Sequence, residues 1–299
     1  MRWERRSRRG DVIDARGGGM RPRSGLPIGR AGVGGGIGLV GLIVYLLISS
    51  LGGGGGGGIP GLGVDSGFPS EAPAAPDAQG IPAAQDPERD LRDFSAYVFS
   101  DAQDTWQSTF RRSGETYERA QLVLYRNAVS TGCGDASSAV GPFYCGADQR
   151  VYLDLSFYND MERQLGAGGE FAWAYVIAHE VGHHVQNQLG TSSAVRRVQN
   201  ENPGEANALS VRLELQADCY SGVWAKTVYD AGRLEEGDIR DAITASEAVG
   251  DDRLQSRAGG RVDPDSFTHG SSEQRARWFN EGRERGEPGA CDTFSAEEL

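Results

Sequence analysis

Residues 178–190 read AHEVGHHVQNQLG and contain three of the four histidines of the chain. His179 and His183 are four residues apart, so on a helix both imidazoles lie on one face, one turn apart. Glu180 follows the first histidine, where its carboxylate can face the open position of a metal held by the pair. The preceding sequence FAWAYVI is apolar, and burying unpaired imidazoles and a carboxylate without a metal would be costly. The segment therefore predicts a catalytic zinc site on a helix.

This order of residues suits the hydrolysis of a peptide bond. Zinc lowers the pKa of a bound water to about 7. Glu180 is expected to take a proton from that water as it attacks the carbonyl, and to pass the proton to the leaving amine. The alternative, two surface histidines on an amphipathic helix, fits poorly with the apolar neighbours. His184 points about 100° away from His183, and we interpret it as a packing residue or as a support for a ligand.

A second predicted helix offers two carboxylates, within the sequence RLELQADCYSGVWA of residues 212–225. Glu214 and Asp218 are again four residues apart and share a helix face. Catalytic zinc usually has three protein ligands and one open position. One carboxylate is therefore expected to bind zinc, and the other to hydrogen-bond a ligand histidine. The alternative is a solvated acidic face, although the neighbouring side chains leave little of this helix polar.

The charge of the chain is unevenly distributed. The protein has 299 residues and a net charge of −12. Residues 1–30 contain nine arginines and three acidic residues, a net charge of +6, which leaves −18 for the remainder. Phosphate contacts need clustered Lys and Arg, so the acidic body predicts that nucleic acid is not a partner. We interpret residues 1–30 as a basic cytoplasmic tail.

Residues 31–51, AGVGGGIGLVGLIVYLLISSL, contain no charged residue and have about the length that spans a bilayer as a helix. Arginines precede this segment, and the next basic residue after it is Arg89. The positive-inside rule then predicts a single-pass protein of the cytoplasmic membrane, with a cytoplasmic N-terminus and an extracytoplasmic body. A cleaved secretory signal is the alternative. Residues 52–86 are rich in Gly, Pro and Ala and are predicted to be a disordered linker to the body at 87–299.

All four cysteines lie in the body, and an even number outside the cytoplasm predicts disulfides. Of the three pairings that four cysteines allow, we favour Cys133 with Cys145, which closes a local loop. The second bond would then join Cys219 to Cys291 and hold the C-terminal segment. The chain has no C-x-x-C pair, so a cysteine zinc site is not expected.

Hydrophobic periodicity predicts a predominantly helical α+β fold with a small sheet. The predicted helices are 88–112, 171–189, 205–231, 239–249 and 273–281, and the predicted strands are 120–127 and 150–158. In zincin metallopeptidases an edge strand pairs with the extended substrate. We expect RVYLDLSFY, residues 150–158, to be that strand. The alternatives are that this segment is a strand inside the sheet with no substrate role, and that GPFYC at 141–145 lies on the edge instead.

The two motifs together resemble those of the gluzincin metallopeptidases, in which HExxH is followed by E-x-x-x-D on a second helix. The segments CGDASSAVGPFYCGADQRVYLDLSFY, AHEVGHHVQ, ELQADCYSGVWA and FTHGSSEQRARWFNEG are similar to the "putative neutral zinc metallopeptidase" family of bacterial membrane-anchored proteins. The resemblance covers most of the chain and implies a zincin-like domain that binds Zn²⁺. It also implies that Glu214 is the third ligand and that Asp218 supports a ligand.

The resemblance extends to the segment that holds the fourth histidine. Related gluzincins have a T-H-x₅-R element after the third-ligand helix, and Thr268, His269 and Arg275 match its spacing. This implies that His269 donates a hydrogen bond to the oxyanion, and that Arg275 pairs with a carboxylate near the zinc, such as Asp218. The related element often has two prolines after the histidine, where this chain has Gly270 and Ser271.

Two classes of function follow from these patterns. The first is a membrane-anchored zinc endopeptidase that acts on a protein or peptide substrate, with Glu180 as the base. The second is a membrane-tethered zinc-binding scaffold or assembly factor with little turnover. A zinc hydrolase of a non-peptide amide would differ from the first only in the shape of its pocket.

Overall fold

The computed structural model describes residues 1–5, 10–17 and 80–299. The predicted transmembrane helix at 31–51 and most of the predicted linker at 52–86 lie outside these residues. No helix within the described ranges combines the length and apolar character needed to cross a membrane.

Eight α-helices and six strands are described in these ranges. The helices are α1 (Arg89–Arg112), α2 (Phe157–Asp160), α3 (Glu170–Gln188), α4 (Thr191–Glu201), α5 (Ala206–Asp230), α6 (Asp238–Ala248), α7 (Asp251–Arg257) and α8 (Ser272–Arg285). The strands are β1 (Val12–Asp14), β2 (Gln121–Tyr125), β3 (Ala128–Thr131), β4 (Gly134–Ser137), β5 (Phe143–Cys145) and β6 (Arg150–Asp154). The fold is α+β and predominantly helical, as predicted, and all five predicted helices are present.

One prediction about the sheet is wrong. The four-stranded sheet has the order β1-β2-β6-β5, in which β1, β2 and β6 are parallel and β5 is antiparallel to β6. The segment 150–158 is therefore an interior strand, β6, paired on both sides and buried from Val151 to Asp154. It also ends early, because Phe157 already begins α2. The edge of the sheet on this side is β5, which belongs to the alternative segment 141–145.

The histidine-bearing helix α3 lies in the centre of the fold. Its side chains are buried almost without a break from Phe171 to Val185, because α3 contacts α1, β5 and β6, and also α5 and α6. The indole of Trp173 donates a hydrogen bond of 2.9 Å to the hydroxyl of Ser95 on α1. Such dense packing holds the backbone of α3 in one position.

Two glycines allow the helices around α3 and α5 to approach closely. A Cβ at Gly182 would lie 3.1 Å from the carbonyl oxygen of Ala217, so α3 and α5 nearly touch between the two histidines of the motif. A Cβ at Gly282 would lie 1.9 Å from the carbonyl oxygen of Cys219, so α5 and α8 are in backbone contact. These contacts bring the chemically active faces of three helices together.

Both favoured disulfide pairings are confirmed. Cys133 bonds to Cys145, with Cα atoms 5.8 Å apart, and ties the β3–β4 hairpin to β5. Cys219 bonds to Cys291, with Cα atoms 5.5 Å apart, and ties the C-terminal segment to α5.

Part of the predicted cytoplasmic tail contacts the body. Strand β1 pairs in parallel with β2, and the side chain of Arg16 lies among carboxylates of the body. Residues that the sequence assigns to a separate cytoplasmic tail thus pack on the body.

Substitution Gly282→Ala tests the contact between α5 and α8. The added methyl group would overlap the carbonyl of Cys219, and overpacking of this kind costs about 1–3 kcal/mol or more. We expect the melting temperature to fall by roughly 3–12 °C. Gly289→Ala is the matched control, because a Cβ there meets no atom within 4 Å. Equal melting temperatures for the two variants would contradict the close approach.

Candidate metal centre

Three potential metal ligands converge between α3 and α5. The Nε2 atoms of His179 and His183 are 3.0 Å apart. The carboxylate of Glu214 lies 3.3 Å from Nε2 of His179 and 3.5 Å from Nε2 of His183. Two ligands of a tetrahedral zinc, each bound at about 2.0–2.1 Å, lie about 3.3 Å apart. The spacing of the three groups therefore fits a zinc ion.

The other ring nitrogen of each histidine is hydrogen-bonded to an acceptor. Nδ1 of His179 lies 2.8 Å from the carboxylate of Asp218, and Nδ1 of His183 lies 2.9 Å from the side-chain oxygen of Gln186. Since both partners are acceptors, each Nδ1 carries the proton and donates it. In the neutral imidazoles, both Nε2 atoms are then unprotonated and free to bind a metal.

Without a cation this arrangement would be unfavourable. The two Nε2 lone pairs and the carboxylate of Glu214 face one another, with no proton to share among them when the rings are neutral. Burial lowers the pKa of His179 and His183, but the carboxylates of Asp218 and Glu214 outweigh it and raise the pKa of both. Burial raises the pKa of Glu214, but His183 and His179 hold it well below its ordinary value. The surroundings therefore favour positive charge at this point.

The carboxylate of Asp218, on α5, is hydrogen-bonded to side chains of α3 and α8 next to the potential ligands. It accepts hydrogen bonds from Nδ1 of His179 and from the hydroxyl of Tyr175, at 2.8 and 2.5 Å. Arg275 on α8 donates Nε to one oxygen and Nη2 to the other, both at 2.9 Å. Burial raises the pKa of Asp218, but the charges of Arg275 and His179 outweigh it and lower this pKa. Asp218 thus remains an anion that orients His179 for the metal.

Glu180 lies beside the ligands, and its carboxylate has no hydrogen-bond partner among the described residues. Burial raises its pKa to about 8, and the charge of His183 opposes that rise. The backbone amide of Tyr144, on β5, also lowers this pKa, although it does not reach hydrogen-bond geometry with the carboxylate. Strand β5 contacts α3. A buried carboxylate without a partner is costly unless a metal-associated water or a substrate completes its hydrogen bonds.

His269 lies in the loop before α8 and is almost fully buried. Its Nδ1 is 3.1 Å from Oδ1 of Asp251, and the other oxygen of Asp251 accepts hydrogen bonds from the backbone amides of Thr268, His269 and Gly270. His269 is also one of the groups that lower the pKa of Glu214. Asp251 thus fixes the ring through Nδ1 and the backbone amide of His269.

The structure brings together His179, His183, Glu214, Asp218 and Arg275, with Glu180 next to the first histidine. His269, which the sequence also nominates, is held by Asp251 and lowers the pKa of Glu214. Sequence reasoning did not find Asp251, Tyr175 or Gln186. The helical period could have suggested two of these, because Tyr175 precedes His179 by four residues and Gln186 follows His183 by three. Asp251 is 18 residues before His269, and no periodic signal connects them.

His184 takes no part in the ligand set. Its ring nitrogens lie 2.9 Å from the hydroxyl of Tyr144 on β5 and 2.7 Å from the backbone carbonyl of Glu118. Burial lowers its pKa to about 4, so the ring is neutral at pH 7. The side chain therefore holds the edge strand β5 against α3.

The site as a whole combines an HExxH sequence on α3 with a carboxylate, Glu214, from α5. The chain belongs to the family described as "Putative neutral zinc metallopeptidase", whose profile matches residues 1–294. The family suggested by the sequence motifs is thereby confirmed.

Two bacterial relatives illustrate this similarity. The chain is 45% identical over 295 residues to "Uncharacterized protein YpfJ" of Escherichia coli (strain K12), and the alignment covers 98% of this chain and 99% of that protein. It is 48% identical over 194 residues to "Uncharacterized protein Rv2575" of Mycobacterium tuberculosis, covering 61% of this chain and 65% of that protein. No solved structure matches the chain.

The metal content of two variants tests the assignment of the ligands. Glu214→Ala removes one of three ligand groups and should leave the purified protein with little zinc. Asp218→Asn keeps all three ligand groups but removes the charge that orients His179 and pairs with Arg275, and the loss of such a support lowers metal affinity about 10–100-fold. Zinc per chain, measured by atomic emission after dialysis, should therefore fall further in Glu214→Ala.

Glu205→Ala is the control for this comparison, because Glu205 is exposed just before α5 and distant from the site. It should bind zinc as the wild type does. A greater loss in Asp218→Asn than in Glu214→Ala would exchange the roles of the two carboxylates.

Proposed function

We propose that the protein is a zinc-dependent endopeptidase. The observation that carries this proposal is the convergence of three metal-binding groups beside a buried carboxylate, Glu180, that has no hydrogen-bond partner among the described residues. His179, His183 and Glu214 would hold the zinc. When bound, the metal would polarise the substrate carbonyl and lower the pKa of an associated water.

The residues of the chain then divide the remaining tasks. Glu180 takes the proton of the attacking water and delivers it to the leaving amine. His269, held by Asp251 through Nδ1, would donate a hydrogen bond from Nε2 to the oxygen on which negative charge develops when both ring nitrogens carry a proton. Asp218 and Arg275 keep His179 oriented. A buried ion pair is costly to disturb, so this support is rigid through the reaction.

An extended peptide is the substrate that we propose. The side chains of His183 and Glu214 keep 13% and 10% of their surface exposed, so both are partly accessible to solvent. Strand β5 is the edge of its sheet and is attached to α3 through the hydroxyl of Tyr144, which contacts His184 and Asn187. The main chain of a substrate can add to such an edge as a further strand. This geometry favours cleavage within a chain.

We further propose that the body works outside the cytoplasm, close to the cytoplasmic membrane. Two disulfides support an oxidising compartment, and the apolar sequence at 31–51 supports attachment to the membrane.

Glu180→Gln tests the proposed reaction. The amide cannot take a proton from water, so hydrolysis should fall by a factor of about 10²–10⁴, while the zinc content stays at that of the wild type. The measurement is casein cleavage by the purified full chain, with zinc per chain determined on the same samples.

The matched control is Glu201→Gln, an exposed residue at the end of α4, which should cleave casein at the wild-type rate. Full activity in Glu180→Gln would remove this residue from the mechanism. Zinc in every sample with cleavage in none would favour the scaffold function instead.

A further inference from the structure

The N-terminal arm, defined as residues 1–5 and 10–17, is built into the body by its backbone. Strand β1 pairs in parallel with β2, with Ile13 opposite Val123. The amide of Leu122 donates to the carbonyl of Asp11 at 2.7 Å, and the amide of Ala15 donates to the carbonyl of Leu124 at 2.8 Å. The arm therefore covers the edge of β2 that would otherwise lie open.

A buried ion cluster fixes the end of the arm. The guanidinium of Arg16 is 1% exposed and lies 2.7 Å from the carboxylate of Asp86, which is fully buried. Arg16 also contacts Asp14 and Glu88, at 2.8 and 3.1 Å. Removing one partner of such a pair leaves a buried charge without compensation. The surroundings of Asp86 are thus built to receive an arginine from the arm.

Two further contacts hold the arm along its length. The carboxylate of Asp11 accepts hydrogen bonds from Nε of Arg119 and from the hydroxyl of Ser100, both at 3.2 Å. The ring of Trp3 packs on that of Phe94, with centroids 5.3 Å apart. The family profile also matches from residue 1, so the match includes the arm.

From these contacts we propose that the arm and the body occupy the same compartment. The hydrocarbon core of a bilayer is about 30 Å thick, whereas the arm meets the body at hydrogen-bond distance. A single crossing between residues 17 and 80, as the sequence predicts, would separate them and leave Asp86 without Arg16. The membrane attachment proposed for residues 31–51 would therefore have to leave both ends of that segment on the same side. Because the disulfides favour an oxidising compartment, the arginine-rich arm would lie there with the body.

Single-cysteine labelling in intact cells tests this proposal. All four native cysteines are in disulfides, so an introduced thiol is the reactive one. Gly17→Cys reports on the arm, and Tyr229→Cys, at a position 63% exposed in the wild type, reports on the body. The probe is a charged maleimide that does not cross the cytoplasmic membrane, and permeabilised cells show that each thiol can react.

Equal labelling of the two variants in intact cells is the expected result, and labelling of only one would overturn the proposal. Equal protection of both would keep the shared compartment and contradict the extracytoplasmic position instead. In the purified full chain, Arg16→Glu should also lower the melting temperature by roughly 10 °C. Arg89→Glu, at an exposed arginine of α1, is the control, and an equal effect in both variants would count against the docked arm.

A separate set of contacts, resting on the proposed zinc site, links His183 to the C-terminal segment. The side-chain oxygen of Gln186 accepts from Nδ1 of His183 at 2.9 Å. Its amide nitrogen donates to the side-chain oxygen of Gln216 at 3.1 Å and to the carbonyl of Leu213 at 2.7 Å. The amide nitrogen of Gln216 donates to the carbonyl of Cys291 at 3.0 Å.

These hydrogen bonds form a relay that runs from His183 through Gln186 and Gln216 to Cys291. Each bond fixes the orientation of the next side chain. Because Gln186 donates to two carbonyl-type oxygens, its own oxygen must face His183, which holds the proton on Nδ1 and leaves Nε2 for the metal. Gln216 is oriented in turn by Cys291, which is bonded to Cys219 next to Asp218. We infer that Gln186 and Gln216 are positioning residues for the metal ligand His183, anchored at the C-terminal disulfide.

Zinc affinity, measured by chelator competition on the full chain, tests the relay. Gln186→Leu keeps the volume but loses the hydrogen bonds, and should weaken zinc binding about 10–100-fold. Gln216→Leu should act in the same direction with a smaller effect. Gln199→Leu is the control, because Gln199 contacts only the Ala206 carbonyl and Ser210 among hydrogen-bond partners in the described structure.

Three outcomes separate the claims. Weaker binding in Gln186→Leu but not in Gln199→Leu supports the relay. Wild-type affinity in Gln186→Leu would overturn it and leave the zinc site intact. A wild-type protein that binds no zinc would overturn the proposed function itself, and the relay with it.

Discussion

The carboxylate of Asp218 is the interaction on which the rest of the site depends. It lies fully buried where α3, α5 and α8 meet, and it accepts hydrogen bonds from His179, Tyr175 and Arg275. An isolated carboxylate at this depth would be strongly unfavourable, so its charge is stable only while all three helices are packed together. The packing of these three helices therefore also orients the imidazole of His179.

Charge balance explains why this centre suits a divalent cation. Glu180, Glu214 and Asp218 contribute three carboxylates, and Arg275 contributes one positive charge. When all are ionised the cluster has a net charge of −2, which a zinc ion would neutralise. Without a metal, Glu180 is the carboxylate that takes up a proton, because burial raises its pKa to about 8. The pKa values of His179 and His183 are raised by the neighbouring carboxylates. This also shows that the position favours a positive charge, whether a proton or a metal ion supplies it.

The sheet places an edge strand, β5, beside the histidine-bearing helix α3. Strand β6 is buried on both sides, which leaves β5 as the edge beside α3. The Cys133–Cys145 bond and the contact of Tyr144 with His184 hold that edge from two directions. At the opposite edge, strand β1 of the arm pairs with β2 and is the outer strand. The edge formed by β5 lies next to the candidate active site.

The sequence by itself determined what is periodic or local. The four-residue spacing of His179 and His183, and that of Glu214 and Asp218, was enough to predict two helices with a ligand face on each, because helical geometry requires no knowledge of distant residues. The motif resemblance nominated His269 and Arg275. Only the tertiary structure decided that Asp251 holds His269, that residues 150–154 form an interior strand, and that Arg16 meets Asp86. These contacts join residues that are separated in the chain or assigned to different segments, and they depend on how helices and strands pack in three dimensions, which no local spacing encodes.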